Sequence, residues 1–213
     1  MKIRITFAKQ GALRYTGHLD LHKIWERTAR RAGLSLTYSQ GFHPQPKMQL
    51  AAALPLGFSS RCELLDMRVE GQVDLATLPE RLQEASPPGL KILKVEEIDE
   101  TSPPLQIQVI SAEYEVTLPD EVDEGVLTRS LDSVLGAASL PRERRGKAYD
   151  LRPLIEVLSF VPLPSVSPQG AGRRLFMRLA AREGATGRPE EVLAALGIDY
   201  AGARIERTGF LFK

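Results

Sequence analysis

Cysteine is almost absent: Cys62 is the only one in 213 residues, which excludes an internal disulfide and leaves no set of thiolates for a zinc site or an iron–sulfur cluster. Histidine is nearly as scarce, with His18, His22 and His43 all near the start of the chain. Long apolar runs are missing too. Leu50-Ala51-Ala52-Ala53-Leu54 stops at Pro55, far short of the roughly 20 residues a membrane-spanning helix requires, so no membrane partner is expected. Met1 to Phe7 alternates charged and apolar residues where a signal peptide would carry an unbroken apolar stretch, so a cytoplasmic location is expected. The chain has no GxGxxG, no GxxxxGK[ST], no HExxH and no GxSxG. The recognised nucleotide cradles, zinc-protease helix and serine-hydrolase elbow are therefore absent, and neither a cofactor nor a bound metal is expected.

Charge is present and unevenly spread. The net charge is +1, yet residues 1–70 carry 11 basic against 5 acidic side chains, residues 71–140 carry 4 against 14, and residues 141–213 carry 13 against 8. Two basic regions flank an acidic one, a distribution able to give a nearly neutral protein a basic face.

Apolar periodicity predicts a mixed α+β chain. Ile3, Ile5 and Phe7 mark a strand by period two. His18 to Ala32 changes to a helical period, with Leu21, Ile24, Trp25, Thr28 and Ala32 on one face, Trp25 in the core and Gly33 at the exit. Extended segments follow at Leu34 to Tyr38, Met48 to Leu54 and Glu63 to Val69, the last two as hairpin partners. Thr77 and Glu80 fit a capping box opening a helix, and Leu90 to Ile98 reads as a strand. This order, βαββαβ, is the ferredoxin-like pattern. A second copy is expected from extended Leu105 to Leu118, a helix striped by Val126, Leu127, Ser130, Leu131, Val134 and Leu135 and closed by Gly136, a strand from Arg173 to Ala181, a short helix opened by Pro189 with Gly197 at its exit, and a strand from Arg204 to Phe212. Its middle strands are least distinct, because Pro162, Pro164 and Pro168 fall there. The expected architecture is two tandem ferredoxin-like domains, residues 1–100 and 105–213, joined by a linker at 101–104 (Thr-Ser-Pro-Pro).

Three groups of residues could carry chemistry. His18 and His22, four apart on one helix, have chelating spacing but no evident third ligand. The loop from Gln40 to Lys47 offers flat rings at Phe42 and His43, paired donors and acceptors at Gln40 and Gln45, and a charge at Lys47, which suits an unstacked base and its phosphate. The alternative is a structural turn in which Phe42 fills the core. Arg142, Arg144, Arg145, Lys147 and Arg152 form a basic segment whose guanidinium forks match phosphate, or else a solvated loop. The candidate RNA contacts are Arg14, Gln40, Phe42, His43, Lys47, Arg144, Arg145, Lys147 and Arg152, expected to face a shared cleft.

Tyr15-Thr16-Gly17-His18-Leu19-Asp20-Leu21, Arg30 to Leu34, Gly41-Phe42-His43-Pro44-Gln45-Pro46-Lys47 and Leu54-Pro55-Leu56-Gly57 together resemble the bacterial radical-SAM-linked protein family of unknown function. The likeness continues through Glu63 and, less densely, to Arg204-Ile205-Glu206-Arg207-Thr208. Gly17 stands where the family pattern has serine, and Ser60-Arg61-Cys62 where it has a glycine-containing acidic segment. The resemblance implies a partner, a cobalamin-binding radical SAM enzyme, with RNA as a plausible substrate. It implies an accessory role, not a self-sufficient enzyme; a protein-only scaffold is the nearest alternative. A second likeness, in outline only, is to the CRISPR repeat-cleaving endoribonucleases. It would make His18 a general acid or base, with Lys47 or Tyr15 steadying the phosphate.

Overall fold

Along β1 (Lys2–Lys9), Ile3, Ile5 and Phe7 alternate with Arg4 and Thr6, and all three apolar side chains are fully buried. The same two-residue period in β3 (Ser59–Arg68) sets Leu65 opposite Ile5 and Met67 opposite Ile3. The structure, a computed structural model, describes residues 1–119, 122–144, 146–161 and 173–213. Arg145 and the three prolines at 162, 164 and 168 lie outside the described residues. Two compact units divide between Val109 and Ile110.

In the first unit, α1 (His18–Arg31), β2 (Met48–Leu50), α2 (Leu78–Ala85) and β4 (Leu90–Ile98) join β1 and β3. The strand order is β4-β1-β3-β2, antiparallel throughout. Leu21, Trp25 and Ala29 of α1 and Leu78 and Leu82 of α2 belong to one core with Ile3, Ile5, Phe7, Leu65 and Met67, so both helices cover the same sheet face. Each large apolar side chain removed from water there contributes about 1.5 to 3 kcal/mol. Gly33 takes a φ of +74° just beyond the helix, a conformation that glycine adopts without steric cost. On the opposite face Arg4 grips Asp66 with two hydrogen bonds of 2.7 and 3.0 Å, and Lys2 Nζ donates to Ser102 O at 3.0 Å.

Several local expectations change. Leu34 to Tyr38 forms only isolated bridges, Leu36 with Val69 and Tyr38 with Pro46; Pro46 has no N–H to extend the second into a ladder. The strand from Met48 ends at Leu50. The capping box is not made: Thr77 has helical φ and ψ, its hydroxyl donates to Asp74 at 3.0 Å, and Asp74 also accepts from Ala76 N at 3.0 Å. Leu105 to Gln108 is a helical turn, α3, in place of extended chain; Leu105 is buried and its N–H donates to the Gln49 side chain at 2.9 Å.

The second unit contains β5 (Val109–Thr117), α4 (Glu124–Gly136), the hairpin β6 (Pro141–Arg144) and β7 (Lys147–Asp150), then β8 (Ile155–Phe160), β9 (Arg174–Arg182), β10 (Ala185–Thr186), α5 (Pro189–Ala195) and β11 (Arg204–Phe212). β9 lies between β5 on one edge and β8 with β10 on the other, and β11 follows β5. Buried pairs Ala112 with Leu179, Tyr114 with Met177 and Val116 with Leu175 tie β5 to β9. The stripe of α4 is narrower than expected: Leu127, Leu131 and Val134 are buried, while Val126 and Leu135 are exposed. Gly136 is its last helical residue and Ala137 its cap. The architecture is mixed α+β with predominantly antiparallel strands, and no described helix is long and apolar enough to cross a membrane.

Candidate functional site

The loop after α1 closes on itself. Ser39 N donates to Gln45 O at 2.8 Å, Gln45 N donates to Ser39 Oγ at 3.0 Å, and Lys47 N donates to Thr37 O at 2.8 Å. Arg30, at the end of α1, donates to the Tyr38 hydroxyl at 2.6 Å and pairs with Glu26 at 2.7 Å, anchoring the loop base to the helix. The tip projects outward as a result. Phe42 is fully exposed, and Gln40, His43 and Lys47 are exposed with it. The alternative that Phe42 fills the core is therefore corrected: paired backbone hydrogen bonds close the loop without its ring.

The segment leading into α1 holds a second group. Arg14 lies over the Tyr15 ring, 4.7 Å from its centroid, and Gly57 N donates to Arg14 O at 2.8 Å. Tyr15, Leu19 and Leu56 are exposed. Behind them Lys9 and Glu63 are each only 1% exposed, and Lys9 Nζ donates to Thr16 O at 2.8 Å. His18 opens the helix beside this buried pair. Burial holds its imidazole below the usual histidine range and His22 adds to the effect, while Glu63 opposes it and Lys9 reinforces it. His22 Nε2 is 3.2 Å from Met48 O. Lys47 lines a different feature, a cavity of ≈ 330 Å³ on the charged face of the sheet together with Lys2, Asp66 and Arg68.

In the second unit, Arg144 and Lys147 stand opposite each other across the hairpin, as do Arg142 and Tyr149. Arg144, Lys147 and Tyr149 line a cavity of ≈ 590 Å³. The Tyr149 hydroxyl donates to Glu191, and burial together with that carboxylate pushes its pKa up to about 12. Arg152 is engaged elsewhere. Its guanidinium donates to Leu135 O at 2.9 and 3.2 Å and to Ile155 O at 3.2 Å, satisfying carbonyls at the end of α4 and the start of β8.

The family described as "uncharacterized protein conserved in bacteria" (DUF2344) matches residues 2–189. The chain belongs to this family. No curated protein matches it. Among solved structures, a Cbf5–Nop10–Gar1 complex is similar at 13% identity and a TM-score of 0.49, over 98% of this chain and 48% of that one. The chain thus spans about half of that relative's length. A presumed glycine cleavage system transcriptional repressor follows at 12% identity and a TM-score of 0.24, covering 100% of this chain and 98% of that one. A presumed DyP-type peroxidase from Shewanella oneidensis has 10% identity and a TM-score of 0.23, covering 99% and 91%. At these scores the likenesses carry no functional argument.

Within this family member, Gln40, Phe42, His43 and Lys47 are grouped by one loop of the first unit, whereas Arg144 and Lys147 are grouped by a hairpin of the second. Lys9 and Glu63 escaped the sequence reading although a signal existed. Lys9 continues the period of Ile3, Ile5 and Phe7, and Glu63 that of Leu65 and Met67, so both are charges at inward-facing strand positions. Tyr149 was missed for the same reason: its significance depends on strand alternation within a segment read only as a charge run.

Proposed function

We propose that this chain is a cytoplasmic, non-catalytic accessory module of a cobalamin-binding radical SAM enzyme, and that it binds RNA or presents RNA to that enzyme. The observation that carries the reading is the loop tip at Phe42. An apolar ring left wholly in water by a loop closed through its own backbone is available to a partner, and Gln40, His43 and Lys47, exposed on the same loop, offer base-edge and phosphate contacts. The strand orders β4-β1-β3-β2 and β11-β5-β9-β8 support reading both units as ferredoxin-like domains, the second interrupted by the β6–β7 hairpin. Purifying the protein from its own cell and sequencing the RNA and protein that accompany it tests the proposal directly. Phe42→Ala is expected to weaken binding of that RNA by about 1 to 3 kcal/mol with little change in its salt dependence, as loss of a stacked base does. Recovery of the radical enzyme with no RNA, and no salt-sensitive RNA affinity, would leave the protein-only scaffold in its place.

One observation favours a second reading, metal-independent RNA cleavage. His18 is held towards its neutral form beside buried Lys9 and Glu63, the state a general base requires. In that case the accompanying RNA has a defined cleaved end whose formation is lost in His18→Gln.

A further inference from the structure

Pleating sorts the side chains of the β6–β7 hairpin. Arg142 pairs with Tyr149 and Arg144 with Lys147, and residues two apart or directly opposite share a face, so these four lie together while Glu143 and Ala148 share the other side. Three cations and a phenol thus occupy one side of a ribbon only four residues long on each strand. The cavity lined by Arg144, Lys147 and Tyr149 is completed by Leu154 and by Ala185 and Thr186 of β10, with Gly184 in the turn before them. Its ≈ 590 Å³ lies within the range of small-molecule sites, roughly 300 to 1,000 Å³.

Two of the nearby carboxylates, Asp150 and Glu191, are engaged by protein donors. Asp150, which also lines the cavity, accepts from Leu140 N at 2.7 Å and from Arg152 N at 2.9 Å, and those two N–H groups hold its pKa down. Glu191 accepts the Tyr149 hydroxyl, and Glu183 is exposed in the turn beside Gly184. The phenol stays protonated through the physiological range, so the Tyr149 ring is a neutral wall next to two cationic heads. Arginine offers a planar fork to phosphate oxygens and lysine a point charge, while the Thr186 hydroxyl, also on the cavity lining, can donate.

We propose that this pocket binds a single nucleotide through its terminal phosphate, with Arg144, Lys147 and Thr186 on the phosphate, and Tyr149 with Leu154 against the sugar and base. The phosphate can come from a free mononucleotide or from the 5′ end of an RNA. Only the second source rests on the RNA-presenting reading above.

Titration of the full chain with adenosine 5′-monophosphate, adenosine and inorganic phosphate tests the pocket. Short oligoribonucleotides with a 5′-phosphate or a 5′-hydroxyl then separate the two sources. Adenosine 5′-monophosphate is expected to bind more tightly than adenosine. Arg144→Gln and Lys147→Gln should each weaken it by roughly tenfold, the scale of one charge-assisted contact. Ala185→Phe, which adds bulk at another lining position, should abolish binding, and Lys23→Gln on α1 should leave it unchanged. Thermal unfolding of each variant separates lost binding from lost fold. Preference for the 5′-phosphorylated oligoribonucleotide over the 5′-hydroxyl form assigns the RNA end as the source; equal affinities beside tight mononucleotide binding assign the free nucleotide. The proposal is overturned if adenosine 5′-monophosphate binds no better than adenosine, or if folded Arg144→Gln and Ala185→Phe proteins bind it as wild type does. Phe42-dependent RNA binding without mononucleotide binding overturns the pocket and leaves the RNA reading standing. Mononucleotide binding without RNA affinity does the reverse.

Discussion

Replacing Trp25 separates two opposing terms at one core position. Its side chain is 0% exposed and meets Phe7 edge-on, with ring centroids 4.8 Å apart. Trp25→Ala removes that packing and leaves a cavity, a loss of about 3 to 5 kcal/mol for large aromatic truncations, of which the edge-to-face pair accounts for about 0.5 to 1.5. The indole N–H, however, has no hydrogen-bond partner among the described residues. A buried donor without a partner costs about 1 to 3 kcal/mol, so Trp25→Phe relieves a penalty while keeping most of the ring. The expectation is a large loss for alanine and a change within about 1 kcal/mol of zero for phenylalanine. Urea denaturation followed by far-ultraviolet circular dichroism measures both, since Trp25 is the only tryptophan and its fluorescence disappears in each variant. Equal losses in the two variants would refute the reasoning about the N–H, and an unchanged midpoint for Trp25→Ala would refute the placement of the ring.

His18 makes stability depend on pH. Its native pKa is below the ordinary 6.5, so the unfolded chain takes up the proton first, and stability should fall as pH drops below about 6.5 until the native imidazole is also protonated. His18→Gln should flatten that part of a stability–pH curve; an unaltered curve would remove His18 as its source. Gly89 has a φ of +92°, and a β-carbon there would lie 2.4 Å from Gln10 O, so Gly89→Ala should cost more than about 2 kcal/mol in denaturant unfolding. Arg152→Ala should destabilise the chain by about 1 to 2 kcal/mol by uncapping Leu135 O and Ile155 O, and a melting curve identical to wild type would show those contacts to be dispensable.

Periodicity alone was enough for β1, α1 and β9, because each carries a continuous run of inward apolar residues whose spacing admits one backbone geometry, whereas α5 was legible from Pro189 at its start and Gly197 at its exit. Periodicity was insufficient for Leu34 to Tyr38, where Leu36 meets only Val69 and Tyr38 meets Pro46, which has no N–H for a ladder, and for Leu105 to Gln108, where a side chain distant in sequence, Gln49, captures the first N–H of a turn. The candidate sites divide similarly. Ring and charge types in the Gln40 to Lys47 loop were legible, but whether Phe42 pointed inward or outward depended on how Ser39, Gln45 and Lys47 closed the backbone.

Which side chains alternate on a strand or align on a helix could be read from residue order, since those periods follow from covalent geometry. With them residue order determined the α+β class and the chemistry available to the surface. Which distant residues meet came from the fold: Lys9 and Glu63 are buried beside His18, Arg152 serves the end of α4, and a hairpin with four residues in each strand brings two cations and a tyrosine to the walls of one cavity. The physical reason is that such contacts depend on strand pairing and loop closure between segments far apart in the chain, which local spacing does not encode.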